Sequence, residues 1–163
     1  MRFVGSCVVL LWLAAAVAPA QNLSFDEIVK NVDASIAPKT VKPGDSVTWK
    51  LTLDIADGWH TYPTKQPDPN QSAFVTKITM PKVAGLSFSG EFKEPKAIIK
   101  KDADGDISML EGIVTFETKI KVAADAKPGK HKLQVPVKVQ VCSKDTCLPP
   151  KTVTVVAEII VQE

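Results

Sequence analysis

Two cysteines near the carboxyl end of the chain are the residues best suited to chemistry. Cys142 and Cys147 are separated by only four residues. A disulfide between residues this close closes a very small ring, and its chain-entropy contribution to stability is only about 2 kcal/mol. Such a bond stabilises a fold little, whereas a short, reducible pair suits thiol–disulfide exchange. The pair is therefore the main clue to function.

Three interpretations of the pair differ in what they require. A structural disulfide needs only proximity and an oxidising compartment. A zinc site lacks ligands, because C-x4-C is not the usual C-x2-C spacing and His60 and His131 are the only histidines. An exchange site needs one accessible thiolate and one resolving thiol within bonding distance. The residues disfavour zinc and leave the structural and exchange interpretations open.

The first twenty residues have the pattern of an export signal. Arg2 supplies a positive start, Val8–Val17 is a short apolar run that directly follows the third cysteine, Cys7, and Ala18–Ala20 has the A-x-A form of a cleavage site. We expect residues 1–20 to be a signal peptide cleaved after Ala20. An exported chain reaches a compartment that permits disulfides, such as the periplasm.

The remaining residues, 21–163, suffice for one domain with its own core. The whole chain carries a formal net charge of +2, and Arg2 is its only arginine. Near-neutral charge without a basic cluster argues against nucleic acid as a partner. No second long apolar run follows the signal, so we expect no stable membrane insertion after cleavage.

Alternation of apolar and polar residues dominates this domain. It is clearest in residues 47–55, 114–122 and 133–141, the last of which leads directly into Cys142. Five further runs are candidate strands: 33–38, 74–80, 86–92, 97–101 and 152–161. The pattern predicts an all-β fold, an immunoglobulin-like antiparallel β-sandwich of about seven to nine strands.

Three segments depart from the strand pattern. Ser24–Glu27 fits a capping box and predicts a short helical turn. Trp59–Ser72 is the longest stretch without strand pattern, and loops of that length are often functional. Asp102–Asp106 resembles a calcium loop, but its glycine does not occupy the position that an EF-hand requires. We expect no metal site and no cofactor.

The cysteine region and two distant segments resemble one known family. Val139–Cys142 followed by Cys147–Pro150 resembles the Q-x-C…C-x-P-P signature of the N-terminal periplasmic domain of the thiol:disulfide interchange protein DsbD. Asp57–Tyr62 is similar to the family's D-G-[WY]-[HY]-x-Y segment, and Glu91-Phe92 to an E-F pair in its central loop. These matches occur in the family's order and cover roughly residues 49–159.

The resemblance implies a role for each sulfur atom. Cys147 corresponds to the cysteine that exchanges with a partner's disulfide, and Cys142 to the cysteine that resolves the mixed disulfide. Phe92 corresponds to an aromatic ring that caps the cysteines until a partner docks, with Glu91 as its acidic neighbour. An alternative for Phe92 is an apolar strand position in the core.

The resemblance also places His60 and Tyr62 near the cysteines. A histidine there lowers a thiol pKa or accepts its proton. The alternative is that His60 lies exposed on a loop without contacts. If the pair exchanges disulfides, we expect a docking surface for partners that includes Phe92, the loop Trp59–Ser72, and Leu148, Pro149 and Pro150.

The chain departs from the family pattern at three positions. Four residues separate its cysteines, against five in the best-known member, Gly90 stands where the family has a carboxylate, and Leu148 where it has an aromatic residue. These differences leave the thiol pKa and the reduction potential open. No transmembrane conduit follows Glu163 in this sequence, so we expect reduction by a membrane thiol reductase encoded elsewhere.

Two hypotheses about function follow. In the first, the chain is a periplasmic thiol–disulfide exchange domain, a component of a protein-disulfide reductase system, whose partners are thioredoxin-like or other disulfide-bearing proteins. In the second, it is a secreted β-sandwich that binds or assembles with other proteins, and Cys142–Cys147 is a purely structural disulfide.

Overall fold

The computed structural model of the chain describes residues 23–101 and 105–163. The predicted signal peptide and residues 102–104 of the acidic run lie outside the described residues. Within the described residues, no helix combines the length and the apolar character needed to cross a bilayer.

The described residues form one α-helical turn, one 3-10 turn and eleven strands. The turn, α1, spans Phe25–Ile28, and a 3-10 turn spans Pro69–Gln71. The strands are β1 (Val29–Ala37), β2 (Thr40–Val41), β3 (Ser46–Ile55), β4 (His60–Thr61), β5 (Lys77–Ile78), β6 (Leu86–Phe88), β7 (Ile98–Lys100), β8 (Ile107–Glu111), β9 (Ile113–Val122), β10 (Gly129–Val139) and β11 (Lys151–Val161).

Two four-stranded sheets make the sandwich, and a third, smaller sheet lies beside them. The first sheet has the order β1-β3-β9-β6, the second β2-β11-β10-β5, and the third β4-β8-β7. All pairings are antiparallel except that of β2 with β11. The predicted immunoglobulin-like antiparallel β-sandwich is confirmed.

The core lies between the two large sheets because their long strands alternate strictly. In β3, every second side chain from Val47 to Ile55 is buried, and β9 and β10 repeat this pattern. Side chains on one face of a strand recur with a period of two, so the alternation in the sequence specifies which face packs inward. Trp49 and Phe116 are the largest fully buried side chains.

The predicted capping box is present at the start of α1. The Ser24 amide donates to the Glu27 carboxylate over 2.6 Å, and this hydrogen bond lowers the pKa of Glu27. Phe25 and Ile28 face inward from the turn.

The small sheet has no counterpart among the predicted strands except β7, and it forms one wall of the site described next.

Candidate functional site

The two cysteines form a disulfide directly after the end of β10. Their sulfur atoms are 2.06 Å apart, and their Cα atoms 4.0 Å. The two ends of the loop are tied together, since the Leu148 amide donates to the Val141 carbonyl over 2.9 Å and the Ser143 amide to the Thr146 carbonyl over 2.7 Å. The predicted pairing of Cys142 with Cys147 is therefore present.

The two cysteines differ sharply in exposure. Cys142 is only 2% exposed, whereas Cys147 lies on the surface. An incoming thiolate must approach a disulfide sulfur from solvent, and access decides which of the two atoms is attacked. The sulfur of Cys147 is the accessible one.

The strand β4 holds Cys142 in place through the backbone. The His60 amide donates to the Cys142 carbonyl over 2.9 Å, and the Cys142 amide donates to the His60 carbonyl over 3.0 Å. This reciprocal pair is an isolated antiparallel bridge. It brings the segment Asp57–Tyr62 and the cysteine loop together although they are 80 residues apart in sequence.

Tyr62 contacts Cys142 with its side chain. Its hydroxyl donates a hydrogen bond to Cys142 Sγ over 3.0 Å, and the residue is 2% exposed. Burial raises the pKa of Tyr62 above its ordinary value, because a phenolate would lose its hydration. The phenol therefore stays protonated at neutral pH and remains a donor toward sulfur.

His60 lies half-buried beside Tyr62, with ring centroids 5.5 Å apart in an edge-on arrangement. Burial lowers the pKa of His60; the nearby Glu111 carboxylate acts in the opposite direction, and Lys100 adds to the lowering. The imidazole is therefore neutral near pH 7. Of the two alternatives for His60, contact with the site is the one observed.

A cavity of about 380 Å³ opens beside the disulfide. Phe74 packs against Tyr62 with ring centroids 5.3 Å apart, and Met109 belongs to the same buried cluster as Tyr62 and Cys142. The cavity is lined by His60, Tyr62, Asn70, Gln71, Phe74, Lys100, Ile107, Met109, Cys142, Ser143 and Cys147. Its walls thus come from the small sheet, which includes β4, from the segment that follows β4 and from the cysteine loop.

The long segment between β4 and β5 is held by the side chain of Gln66. Its Nε2 donates to the carbonyls of Phe74, over 2.8 Å, and Ser108, over 2.9 Å. Its Oε1 accepts from the Ser108 amide over 2.8 Å. These three hydrogen bonds join the segment to β8 and so fix Phe74 and Met109 as walls of the cavity.

Phe92 and Glu91 lie elsewhere. Phe92 packs against the main core, with its ring edge-on to Trp49 at 6.3 Å between centroids. Glu91 is exposed, and its carbonyl accepts a hydrogen bond from Ser89 Oγ over 3.3 Å. Neither residue is among the described residues that line the cavity. The predicted cap role of Phe92 remains a prediction, and the aromatic rings observed beside the disulfide are those of Tyr62 and Phe74.

The predicted docking residues lie at different depths. Pro149 and Pro150 are exposed directly after Cys147. Leu148 and Trp59 are partly buried and pack against the main core. The two prolines are therefore the members of this set that present an open surface beside the accessible sulfur.

Sequence reasoning missed three residues that shape the site: Phe74, Met109 and Gln66. Phe74 was assigned to a candidate strand, and Met109 lies in β8, whose alternation is weak. Their positions follow from contacts between segments far apart in sequence.

Among the described residues, no group of three or more histidine, cysteine, aspartate or glutamate side chains is arranged to hold a metal ion.

Comparison with known proteins identifies the family. The sequence matches the family described as Thiol:disulfide interchange protein DsbD, N-terminal, over residues 26–158. No curated protein sequence gives a significant match.

Two solved structures resemble the chain. The N-terminal domain of Neisseria meningitidis DsbD in its reduced form is 18% identical, with a TM-score of 0.47, over 82% of this chain and 86% of that one. The N-terminal periplasmic domain of ScsB from Proteus mirabilis is 16% identical, with a TM-score of 0.46, over 71% of this chain. The chain covers 42% of that ScsB chain.

The family match decides the assignment, because it spans well over half of the chain and includes both cysteines, β4 and the walls of the cavity. The chain belongs to the family of N-terminal domains of the thiol:disulfide interchange protein DsbD.

Proposed function

We propose that this chain is a periplasmic thiol–disulfide exchange domain that passes reducing equivalents to or from protein partners through Cys142 and Cys147. The observation that carries the proposal is the asymmetry of the disulfide: one sulfur is accessible, and the other is buried against a tyrosine hydroxyl. A purely structural disulfide has no need of this asymmetry.

The exchange takes two balanced steps. The Cys147 thiolate attacks one sulfur of a partner's disulfide, a new S–S bond forms, and the partner's other sulfur leaves as a thiolate. The Cys142 thiolate then attacks Cys147 Sγ, which releases the partner's second sulfur as a thiolate and closes the Cys142–Cys147 disulfide. Two electrons pass to the partner, whose two thiolates take up protons. The same two steps in reverse return the domain to its reduced, dithiol form.

Tyr62 stabilises the charge that develops on Cys142. In either direction Cys142 Sγ is the attacking or the leaving sulfur of the internal step, so it carries partial negative charge in the transition state. A hydrogen bond to an ionised acceptor is stronger than one to a neutral acceptor. The Tyr62 hydroxyl, 3.0 Å from Cys142 Sγ, therefore favours exchange.

His60 serves as the proton acceptor on the cavity side. Its imidazole is neutral near pH 7 because burial lowers its pKa, and it lines the same cavity as Cys147. A neutral imidazole takes the proton of a thiol that must ionise before it attacks.

Partners approach through the surface around Cys147. Pro149 and Pro150 supply an exposed apolar rim, while Leu148 and Trp59 are partly buried and pack against the main core. We infer that the partners are thioredoxin-like or other disulfide-bearing periplasmic proteins, and that a membrane thiol reductase encoded elsewhere supplies the electrons. We further propose that residues 1–20 are a signal peptide that directs export and is removed after Ala20.

A trapping experiment tests this function. The Cys142→Ser variant retains the accessible thiol but lacks the resolving one, so mixed disulfides with partners persist. The variant is expressed in its native envelope, thiols are blocked with acid and alkylating agent, and adducts are separated without reductant. We expect partner adducts with Cys142→Ser and few with the matched Cys147→Ser control. Absence of adducts with both variants would favour the structural disulfide of a binding or assembly module.

A further inference from the structure

A pair of buried hydroxyl groups lies behind the disulfide. Thr61 is 0% exposed and Thr76 is 1% exposed, and their Oγ1 atoms are 3.3 Å apart. Thr61 lies in β4, and Thr76 immediately precedes β5. Neither residue lines the cavity among the described residues, so neither contacts a partner there.

Each hydroxyl reaches a different part of the site. Thr61 Oγ1 donates to the Gln140 carbonyl over 3.0 Å, two residues before Cys142. Thr76 Oγ1 donates to the Tyr62 carbonyl over 2.6 Å, and the Thr76 amide donates to the Pro63 carbonyl over 3.0 Å. Thr76 thus holds the backbone that carries the tyrosine, and Thr61 holds the backbone that leads to the buried cysteine.

The protons of the two hydroxyls are fully used by these contacts. Each threonine has one hydroxyl proton, and the bonds to Gln140 and Tyr62 take both. The two Oγ1 atoms are then in contact without a proton between them, and each hydroxyl holds its own carbonyl. Because a buried carbonyl that loses its donor is costly, removing either hydroxyl shifts the backbone that it holds.

We propose that Thr61 and Thr76 are positioning residues that set the contact between the Tyr62 hydroxyl and Cys142 Sγ, and through it the rate of disulfide exchange. This inference rests on the proposed function. Thr76 acts on this contact through the backbone of Tyr62, and Thr61 acts through the chain that leads to Cys142. Because the contact itself requires the phenol hydroxyl, the two threonine hydroxyls matter for exchange only while that hydroxyl is present.

A double-mutant cycle tests the inference on the isolated full-length mature protein. The probe is reduced glutathione at fixed pH, and the measured quantity is the rate at which the Cys142–Cys147 disulfide opens. We expect Thr76→Val and Thr61→Val each to slow opening by about threefold or more, the equivalent of one weakened hydrogen bond. In a Tyr62→Phe background, Thr76→Val should have no further effect, because coupled residues are not additive.

Three variants separate positioning from general damage to the fold. Thr61→Ser keeps the hydroxyl and should react like the wild-type protein. Thr118→Val is the matched control, since Thr118 is also buried and its hydroxyl lies 2.8 Å from Ser89 Oγ, away from the disulfide; it should lower stability without slowing exchange. If Thr61→Val does not fold, Thr76→Val, which keeps the bond to Gln140, decides the question.

Other outcomes overturn the inference. Equal rates for Thr76→Val and Thr118→Val, a Thr61→Ser rate as slow as that of Thr61→Val, or independent effects of Thr76→Val and Tyr62→Phe would each do so. Because glutathione opening requires no partner protein, such a failure is distinct from failure of the proposed function, which the trapping of envelope partners decides.

Discussion

The hydroxyl of Tyr62 donates a hydrogen bond to Cys142 Sγ over 3.0 Å, and both residues are 2% exposed. The same disulfide presents its other sulfur, that of Cys147, at the surface. One end of the bond is thus open to attack, while the other has a donor ready for the charge that attack creates.

Tyr62→Phe should slow disulfide exchange with little loss of stability. The substitution keeps the ring that packs against Phe74 and removes the donor to sulfur. Hydrogen bonds to charged groups contribute about 1.5–3 kcal/mol, so we expect roughly a tenfold lower rate of opening by glutathione. Stopped-flow thiol kinetics measure the rate, and urea unfolding of the same variant reports its stability. An unchanged rate would remove Tyr62 from the mechanism.

Phe74→Leu should change the rate at which glutathione opens the disulfide, and Phe92→Leu should leave that rate unchanged. Phe74 lines the cavity and packs against Tyr62, whereas Phe92 packs against Trp49 in the main core. Each substitution should lower the free energy of unfolding by about 1–2 kcal/mol. Rates of opening by glutathione, measured under conditions where both variants are folded, distinguish the two positions. A rate change confined to Phe92→Leu would instead support the cap role that the family resemblance implies for Phe92.

His60 should make the stability of the domain depend on pH. Its pKa in the folded protein lies below the ordinary value of 6.5, chiefly because of burial. Between the folded pKa and 6.5 the unfolded chain binds more protons than the folded one, so the free energy of unfolding falls as the pH drops through this window. His60→Asn should flatten that decline.

The same substitution at His131 is the matched control for this measurement. His131 hydrogen-bonds to the Lys127 carbonyl, and Lys127 is not part of the site. Urea unfolding at a series of pH values from 7.5 downward gives the slope for each variant. The contribution of His60 is the difference between the two histidine variants, and identical slopes would argue against a perturbed His60.

Reduction of the disulfide should cost the domain little stability. The ring that it closes is small, and its chain-entropy contribution is about 2 kcal/mol, while the large sheets are held by an extensive core that does not involve the cysteines. We expect the reduced domain to remain folded, with a free energy of unfolding lower by about that amount. Chemical unfolding with and without a strong reductant measures the difference. Global unfolding on reduction would favour a structural role for the disulfide.

The sandwich itself was largely predictable from sequence, for a physical reason. In β3, β9 and β10 buried side chains, all apolar except Thr118, recur at every second position over seven to nine residues, a signal that depends only on which face is buried. The short strands β2, β4 and β5 have two residues each, too few to show any period. They exist because neighbouring strands supply their hydrogen bonds.

The site was predictable only in part. Proximity of His60 and Tyr62 to the cysteines was expected from the family resemblance, and the structure places both there. The role of Phe74 depends on Gln66, whose hydrogen bonds join the segment after β4 to Ser108 in β8. No local pattern encodes a contact across 42 residues, so this wall of the cavity required the folded structure.

The most direct test of the central claim is to identify the sulfur atom that exchanges. The oxidised wild-type protein is mixed with reduced glutathione, quenched in acid at short times, digested and analysed by mass spectrometry to locate the glutathione adduct. We predict that the adduct is on Cys147, the accessible cysteine, while Cys142 carries the free thiol. An adduct predominantly on Cys142, or a disulfide that glutathione does not open, would contradict the account.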